Sequence, residues 1–378
     1  MSLLLNPFNT VGYISEYYFC DRESELALLL ENAKNSINTT LVSSRKFGKS
    51  ALLYRFSEEL NKENEIYFFY IDIYSTQNLR EFIELLSITV LRKFTPKESF
   101  GKQFLNFVKA LRPVISYDTL SGQPEISFEY SQIKEYENTL AQIFKFLDKQ
   151  NVPIMIAFDE FQQIATYPEQ NVEALLRTII QTLRNVNFVF SGSHQHIMNE
   201  IFSNSKRPFF ASTQSLSLFE IPEEKYKAFI EFHFADHKKH IDSDAVEFIL
   251  DWTMRHTYYT QFVCKKLFAS PKKKIDIHTV KLACGEILDS ERSNFLHFRR
   301  LLTPFQWQLL IAIAKEEKVF KPQSKDFVQK YALGSASSVK KTLDSLTQKE
   351  MVMLQTGHDT QFYRVYDVFL LRWLNRTY

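Results

Sequence analysis

Ile37-Asn38-Thr39-Thr40-Leu41-Val42-Ser43-Ser44-Arg45-Lys46-Phe47-Gly48-Lys49-Ser50-Ala51-Leu52 carries a short β-prone run into a loop that ends in Gly48-Lys49-Ser50 and continues as a helix. Strand, loop, Gly-Lys-Ser and helix in that order describe a phosphate-binding loop. Backbone N–H groups cradle phosphate oxygens, the lysine neutralises them and the hydroxyl holds magnesium. The full pattern places another glycine five positions before Gly48, and Ser43 stands there instead. At positive φ a serine costs free energy that a glycine does not, so nucleotide binding is expected to survive more securely than turnover. A plain strand-to-helix turn containing one glycine has the same local pattern. A second element decides.

Val152-Pro153-Ile154-Met155-Ile156-Ala157-Phe158-Asp159-Glu160 is a continuous apolar run ending in two acids. It reads as a buried parallel strand that delivers carboxylates at its C-terminal end, the edge where open α/β sheets bind ligands. Asp159 is placed to hold magnesium through water, and Glu160 to orient or deprotonate an attacking water. A Gly-Lys-Ser loop followed at this distance by an Asp-Glu strand is far rarer than either part, so the nucleotide reading leads.

At 378 residues the chain suits two or three domains. Its apolar share of 45% and charged share of 24% are those of a globular protein. The 8 glycines are few beside 35 Phe and 18 Tyr, which shifts core formation toward aromatic packing. A formal net charge of +2 excludes a strong whole-protein attraction to nucleic acid or anionic lipid, though not a local patch. Cys20, Cys264 and Cys284 are far apart, so neither a disulfide framework nor a zinc knuckle is expected and a reducing cytoplasm fits. Met1 to Phe8 has no basic leader, and no apolar run reaches membrane-spanning length, so no membrane partner is expected.

Along the chain, Asp21 is the expected N-cap of a helix running to Asn35. The helix after Gly48 runs to about Asn61, a strand is expected over Ile66 to Ile73, and a helix over Leu79 to Phe94. Residues 95–135, with Pro96, Pro113 and Pro124, are the least legible and suggest a hairpin insertion around Gln123 to Phe128. Helices are expected over Tyr136 to Lys149 and Asn171 to Leu183, and a further buried strand over Asn187 to Ser193. This alternation predicts a parallel sheet in an α/β domain over residues 1–220. Residues 221–300 read as a helical lid domain, with helices over Glu224 to Phe234, Asp244 to Thr253, Tyr258 to Phe268 and Ile277 to Asn294. Residues 301–378 read as a winged helix: three helices over Pro304 to Lys315, Ser324 to Tyr331 and Ser335 to Lys349, then β-prone runs Met351 to Gln355 and Phe362 to Val365. The third helix is mildly basic through Lys340, Lys341 and Lys349, with Asp344 on the same helix. DNA and a protein partner remain alternatives for it.

With these parts in place the chain resembles the archaeal/bacterial ATPase family of STAND-class P-loop NTPases, which is related to AAA+ proteins. The residues that carry the resemblance are Asn6-Pro7-Phe8, Phe19-Cys20-Asp21-Arg22-Glu23-Ser24-Glu25-Leu26, the loop Ser43 to Ser50, Phe158-Asp159-Glu160-Phe161-Gln162, Phe190-Ser191-Gly192-Ser193 and Arg207-Pro208-Phe209-Phe210. The resemblance implies an α/β P-loop NTPase fold of the ASCE, AAA+-like kind, with the Ser193 strand between the strand before Lys49 and the strand ending at Asp159, a helical lid and a C-terminal winged helix. It implies that Ser193 or His194 senses the γ-phosphate and that Phe19 and Arg22 border the adenine. Arg207 resembles a family arginine that reaches the phosphates in cis or from a neighbouring subunit, the latter in a homo-oligomer. Where the family often has Gly-x-Pro before Tyr-Tyr-x-Gln, this chain has Arg255-His256-Thr257-Tyr258-Tyr259-Thr260-Gln261, which alters closure over the base.

The resulting expectation is a Mg-ATP-binding, slowly hydrolysing switch. Ser44, Arg45, Lys46, Phe47, Gly48, Lys49, Ser50 and Ala51 hold the phosphates of ATP or ADP, Ser50 and Asp159 hold Mg²⁺, and Glu160 positions water with Ser193 and Arg207 in support. The rival readings are a winged-helix DNA-binding regulator and a non-hydrolysing interaction module.

Overall fold

A computed structural model describes residues 5–63, 65–93, 99–111, 113–117, 124–356 and 360–378. The chain divides into two compact units, residues 11–219 and a second formed by residues 220–378 with the first ten. The first unit runs α1 (Glu23–Lys34), β1 (Thr39–Val42), α2 (Lys49–Glu63), β2 (Tyr67–Asp72), α3 (Leu79–Lys93), α4 (Ser99–Ala110), β3 (Val114–Tyr117), β4 (Pro124–Ser127), α5 (Ile133–Asp148), β5 (Ile154–Asp159), α6 (Val172–Ile180), β6 (Val186–Gly192), α7 (Gln195–Ser203) and β7 (Gln214–Ser217). A 3-10 turn, Phe161–Thr166, links β5 to α6.

The five-stranded sheet has the order β2-β5-β6-β1-β7, with every pairing parallel. The strand ending near Ser193 thus lies between the one before Lys49 and the one ending at Asp159, as the resemblance implied. Successive side chains of a strand point to opposite faces, so each central strand feeds two cores. Ile154, Ile156 and Phe158 of β5 join Phe188 and Phe190 of β6 on the face covered by α3 and α5. Met155 and Ala157 join Val189 and Leu41 on the face covered by α1 and α2, where Leu52, Leu53, Phe56 and Leu60 pack. Aromatic rings pack against one another in the first of these cores: Phe158 lies 6.1 Å from Phe188 at an interplanar angle of 10°, and Phe161 lies 4.5 Å from Phe190.

Several sequence expectations shift. Asp21 is not the N-cap of α1: it has φ 59°, and Arg22, at φ 77° and without a capping side-chain bond, holds that position. Two consecutive left-handed residues turn the chain before the helix can start. The hairpin is present as β3 paired with β4, Pro96 and Gln123 lie outside the described residues, and α4 was not anticipated. Edge strand β7, with only Leu216 buried among four residues, carries too little periodicity to be read in advance. Positive φ falls on many non-glycine residues here, among them Lys46, Glu160 and Asn171, whereas the positive-φ glycines are Gly12, Gly48 and Gly334.

In the second unit, α8 (Glu223–Asp236), β8 (His240–Ile241), α9 (Ser243–Trp252), α10 (Thr257–Ala269), β9 (Lys274–Ile275), α11 (Ile277–Ser290) and α12 (Arg292–Leu301) precede α13 (Pro304–Glu316), α14 (Lys325–Lys330), α15 (Ala336–Gln348), β10 (Val352–Thr356), β11 (Gln361–Val365) and α16 (Val368–Thr377). The stretch read as one helix to Asn294 is two, α11 and α12, divided at Glu291. α13 to α15 with the β10-β11 hairpin form the winged helix, each helix starting at a Thr or Ser whose hydroxyl accepts from an N–H of the first turn. α16, not anticipated from the sequence, packs Phe369 against Trp252 and Tyr259 and so ties the winged helix to the preceding helices. Among the described residues no helix is long and apolar enough to cross a membrane.

Phe158 is fully buried, and its ring also lies 5.2 Å from Phe82. Phe158→Ala is expected to lower unfolding free energy by about 3–5 kcal/mol, measured by denaturant unfolding, because the rings around the cavity cannot all collapse into it.

Candidate nucleotide site

Strand alternation decides which side chains meet the loop. In β5, Asp159 follows Phe158 and therefore points to the α2 side of the sheet. By the same rule Tyr70 of β2 and Ser191 of β6 point that way. The helix α2 begins at Lys49, so its first turn arrives above these three residues. The outcome is a carboxylate with four donors. Asp159 Oδ2 accepts from Ser50 Oγ at 2.7 Å and from the Tyr70 hydroxyl at 2.6 Å. Its Oδ1 accepts from Ser191 Oγ at 2.7 Å and from the Glu160 N–H at 3.0 Å.

Within the loop, Lys46 takes φ 63° and Gly48 φ 95°, while Ser43 is not among the positive-φ residues. The strain expected from serine at the first glycine position therefore does not arise. Ser43 is fully buried, its N–H faces the Gly192 carbonyl at 3.4 Å, and its hydroxyl donates to the Ser44 carbonyl at 3.0 Å. Ser44 and Phe47 are buried, Phe47 anchoring the loop, whereas Lys46 is exposed and Ala51 half-buried. Lys49 is only 5% exposed. Burial pushes its ammonium pKa down, the charges of Asp159 and Glu160 push it back up, and Arg45 adds to the lowering. A buried cation facing two carboxylates at a helix N-terminus makes a strongly polarised site of the kind that suits an anion.

Glu160 turns the chain at φ 55° and accepts from Ser193 Oγ at 2.7 Å. Arg45 and His194 Nε2 are 2.8 Å apart, joining the loop to the end of β6. The loop, both acids, Ser193 and His194 are thus brought together. Phe19, Arg22 and Arg207 are engaged elsewhere. The Phe19 ring carries the Arg55 guanidinium at 5.1 Å. The Arg22 guanidinium binds Glu25 at 2.8 Å and the Phe219 carbonyl at 2.6 Å. Arg207 pairs with Glu173 in a cleft of about 320 Å³ lined also by Tyr167 and Glu169.

Residues 19–254, more than half of the chain, match the family described as an ATPase domain predominantly from Archaea. The chain belongs to that family. Residues 293–376 match a winged-helix domain. No curated protein matches the sequence. Among solved structures the chain is similar to the Walker-type ATPase PABY2304 of Pyrococcus abyssi, with 17% identity, a TM-score of 0.65 and coverage of 98% of this chain and 99% of that one. It is also similar to the ORC2 protein of Aeropyrum pernix in its ADPNP-ADP complexes, with 14% identity, a TM-score of 0.57 and coverage of 98% and 96%. At these identities the likeness establishes a shared fold: a P-loop NTPase sheet with a C-terminal winged helix.

For an ATPase of this family, Tyr70 is the residue that the sequence reading missed. The signal was present: a tyrosine two residues before the end of a Phe-rich strand places a hydroxyl near the ligand edge. Burial and the Asp159 charge both push its phenol pKa up, so it remains a donor. Tyr70→Phe is expected to lower unfolding free energy by about 1.5 kcal/mol, the scale of a lost hydrogen bond to a charged group. Urea unfolding without nucleotide checks this; an unchanged midpoint would mean that the bond is absent in solution.

Proposed function

We propose that this ATPase-family chain is a Mg-ATP-dependent switch of the STAND kind, allied to AAA+ proteins, that hydrolyses ATP slowly. The observation that supports it most is the 2.7 Å bond between Ser50 Oγ and Asp159 Oδ2, which joins the start of the loop helix to the acid at the end of β5. A serine hydroxyl has lone pairs to spare while it donates to Asp159, and the all-oxygen donor set suits a hard cation. Among the described residues no group of three or more His, Cys, Asp or Glu could hold a metal. Magnesium here would draw most of its ligands from phosphate and water, as that ion commonly does. When bound, it would neutralise charge on the β- and γ-phosphates.

In this reading Ser44 to Ala51 hold the phosphates through N–H groups and the Lys49 charge. Ser50 and Asp159 hold the ion, Glu160 orients water, and Ser193 or His194 registers the γ-phosphate. Phe19 and Arg22 border the adenine through surfaces left after their present contacts. Arg207 must leave Glu173 before it can reach phosphate, in cis or across a homo-oligomer. Residues 221–300 are the segment that responds to hydrolysis, and residues 301–378 carry the output.

Lys49→Ala is expected to abolish Mg-ATP binding, measured by isothermal calorimetry. Glu160→Gln is expected to keep binding and to slow phosphate release by about 100-fold or more. Equal turnover in both variants and wild type would remove these assignments.

A second reading has one observation in its favour. Lys340, Lys341 and Lys349, on or just after α15, are all exposed, in the element that enters a groove in DNA-binding winged helices. If DNA is the partner, duplex affinity should fall steeply with salt, and charge reversal at these lysines should flatten that dependence. Salt-independent or absent binding leaves a protein partner for this helix.

A further inference from the structure

Glu160 has a second donor besides Ser193. Gln162 Nε2 lies 2.5 Å from Glu160 Oε2, the same oxygen that Ser193 binds. The left-handed turn at Glu160 makes this possible by folding the following 3-10 turn back beside the carboxylate. Gln162 is 5% exposed, so its amide is held inside the protein and not at the end of a free side chain. Turning the amide over would set its oxygen against a carboxylate oxygen, so the donor assignment follows from charge.

The place where that amide sits is built. A Cβ at Gly192 would lie 2.5 Å from Gln162 Oε1 and 2.5 Å from Met198 Sδ. Gly192 is not among the positive-φ residues, so glycine is needed here for space and not for backbone conformation. The missing side chain at the end of β6 is the room that the Gln162 amide occupies. Among the described residues Gln162 Oε1 has no hydrogen-bond partner, so the bond that orients this amide is the one its Nε2 donates to Glu160.

We propose that Gln162 is a positioning residue: with Ser193 it clamps Glu160 Oε2, leaving Oε1 as the oxygen that orients water. This rests on the role of Glu160 given above. The amide touches the acid and not the nucleotide, so its contribution belongs to turnover and not to binding.

The test uses the full-length protein with four measurements: phosphate release under saturating Mg-ATP, affinity for a non-hydrolysable ATP analogue, melting temperature, and single-turnover hydrolysis in a Glu160→Gln background. Gln162→Met, close in volume but without a donor, is expected to lower kcat by about 10-fold or more while analogue affinity stays within about 2-fold. In the Glu160→Gln background the same substitution is expected to change the rate by less than about 2-fold, because the group it acts through has gone. Gln162→Glu, of the same shape but presenting an acceptor, guards against a packing effect and should lose at least as much. Equal losses in both backgrounds, loss of binding in step with kcat, or full turnover by Gln162→Glu would overturn the assignment. A wild-type protein inert toward ATP overturns the ATPase reading and this one together; an active wild type with any of those results overturns this one alone.

Discussion

The Asp159 carboxylate is where the α/β unit is fastened. Two strands and a helix reach it from different directions: Tyr70 from β2, Ser191 from β6 and Ser50 from α2, with the chain's own next N–H completing the set. A buried carboxylate is tolerated only when its lone pairs are met, and here each oxygen has two donors. The arrangement fixes the height of the loop helix above the sheet edge. Lys49, adjacent to Ser50 and about 100° from it around the helix, is then forced into the interior, where the acids partly offset its desolvation.

That fastening depends on strand alternation, and alternation is what made much of the site legible. Once β5 is taken as a buried strand, Phe158 must face one core and Asp159 the other. The loop and the Asp159-Glu160 pair were read from residue type and order for this reason. The β6 run was read because Phe188-Val189-Phe190 is too apolar for a one-sided strand. Tyr70 and Gln162 escaped because their roles depend on the register between strands and on a single left-handed residue, neither of which local periodicity encodes. The same limit explains Asp21: a preferred capping residue in the right place loses to a backbone turn that no propensity announces.

The second unit shows the opposite balance. Its winged helix was legible because three helical patterns are followed by two short β-prone runs, and the structure adds a Ser or Thr cap at each of the three helix starts. α16 was not, since an amphipathic stretch after a hairpin can pack on many surfaces. Its Phe369 makes it part of the core shared with α9 and α10, so the winged helix and the helices before it form one folded body.

The loop turns at Lys46 with φ 63°, a conformation that glycine adopts at less cost than a lysine does. A lysine there samples far fewer backbone states than a glycine when the chain is unfolded, and in the folded chain Phe47 is anchored beside it. The conformational entropy that a floppy, glycine-rich loop surrenders on closing around an anion is in this chain surrendered during folding. In the phosphate-holding role proposed for this loop, capture would begin from a cradle already shaped, and release would return little disorder to it.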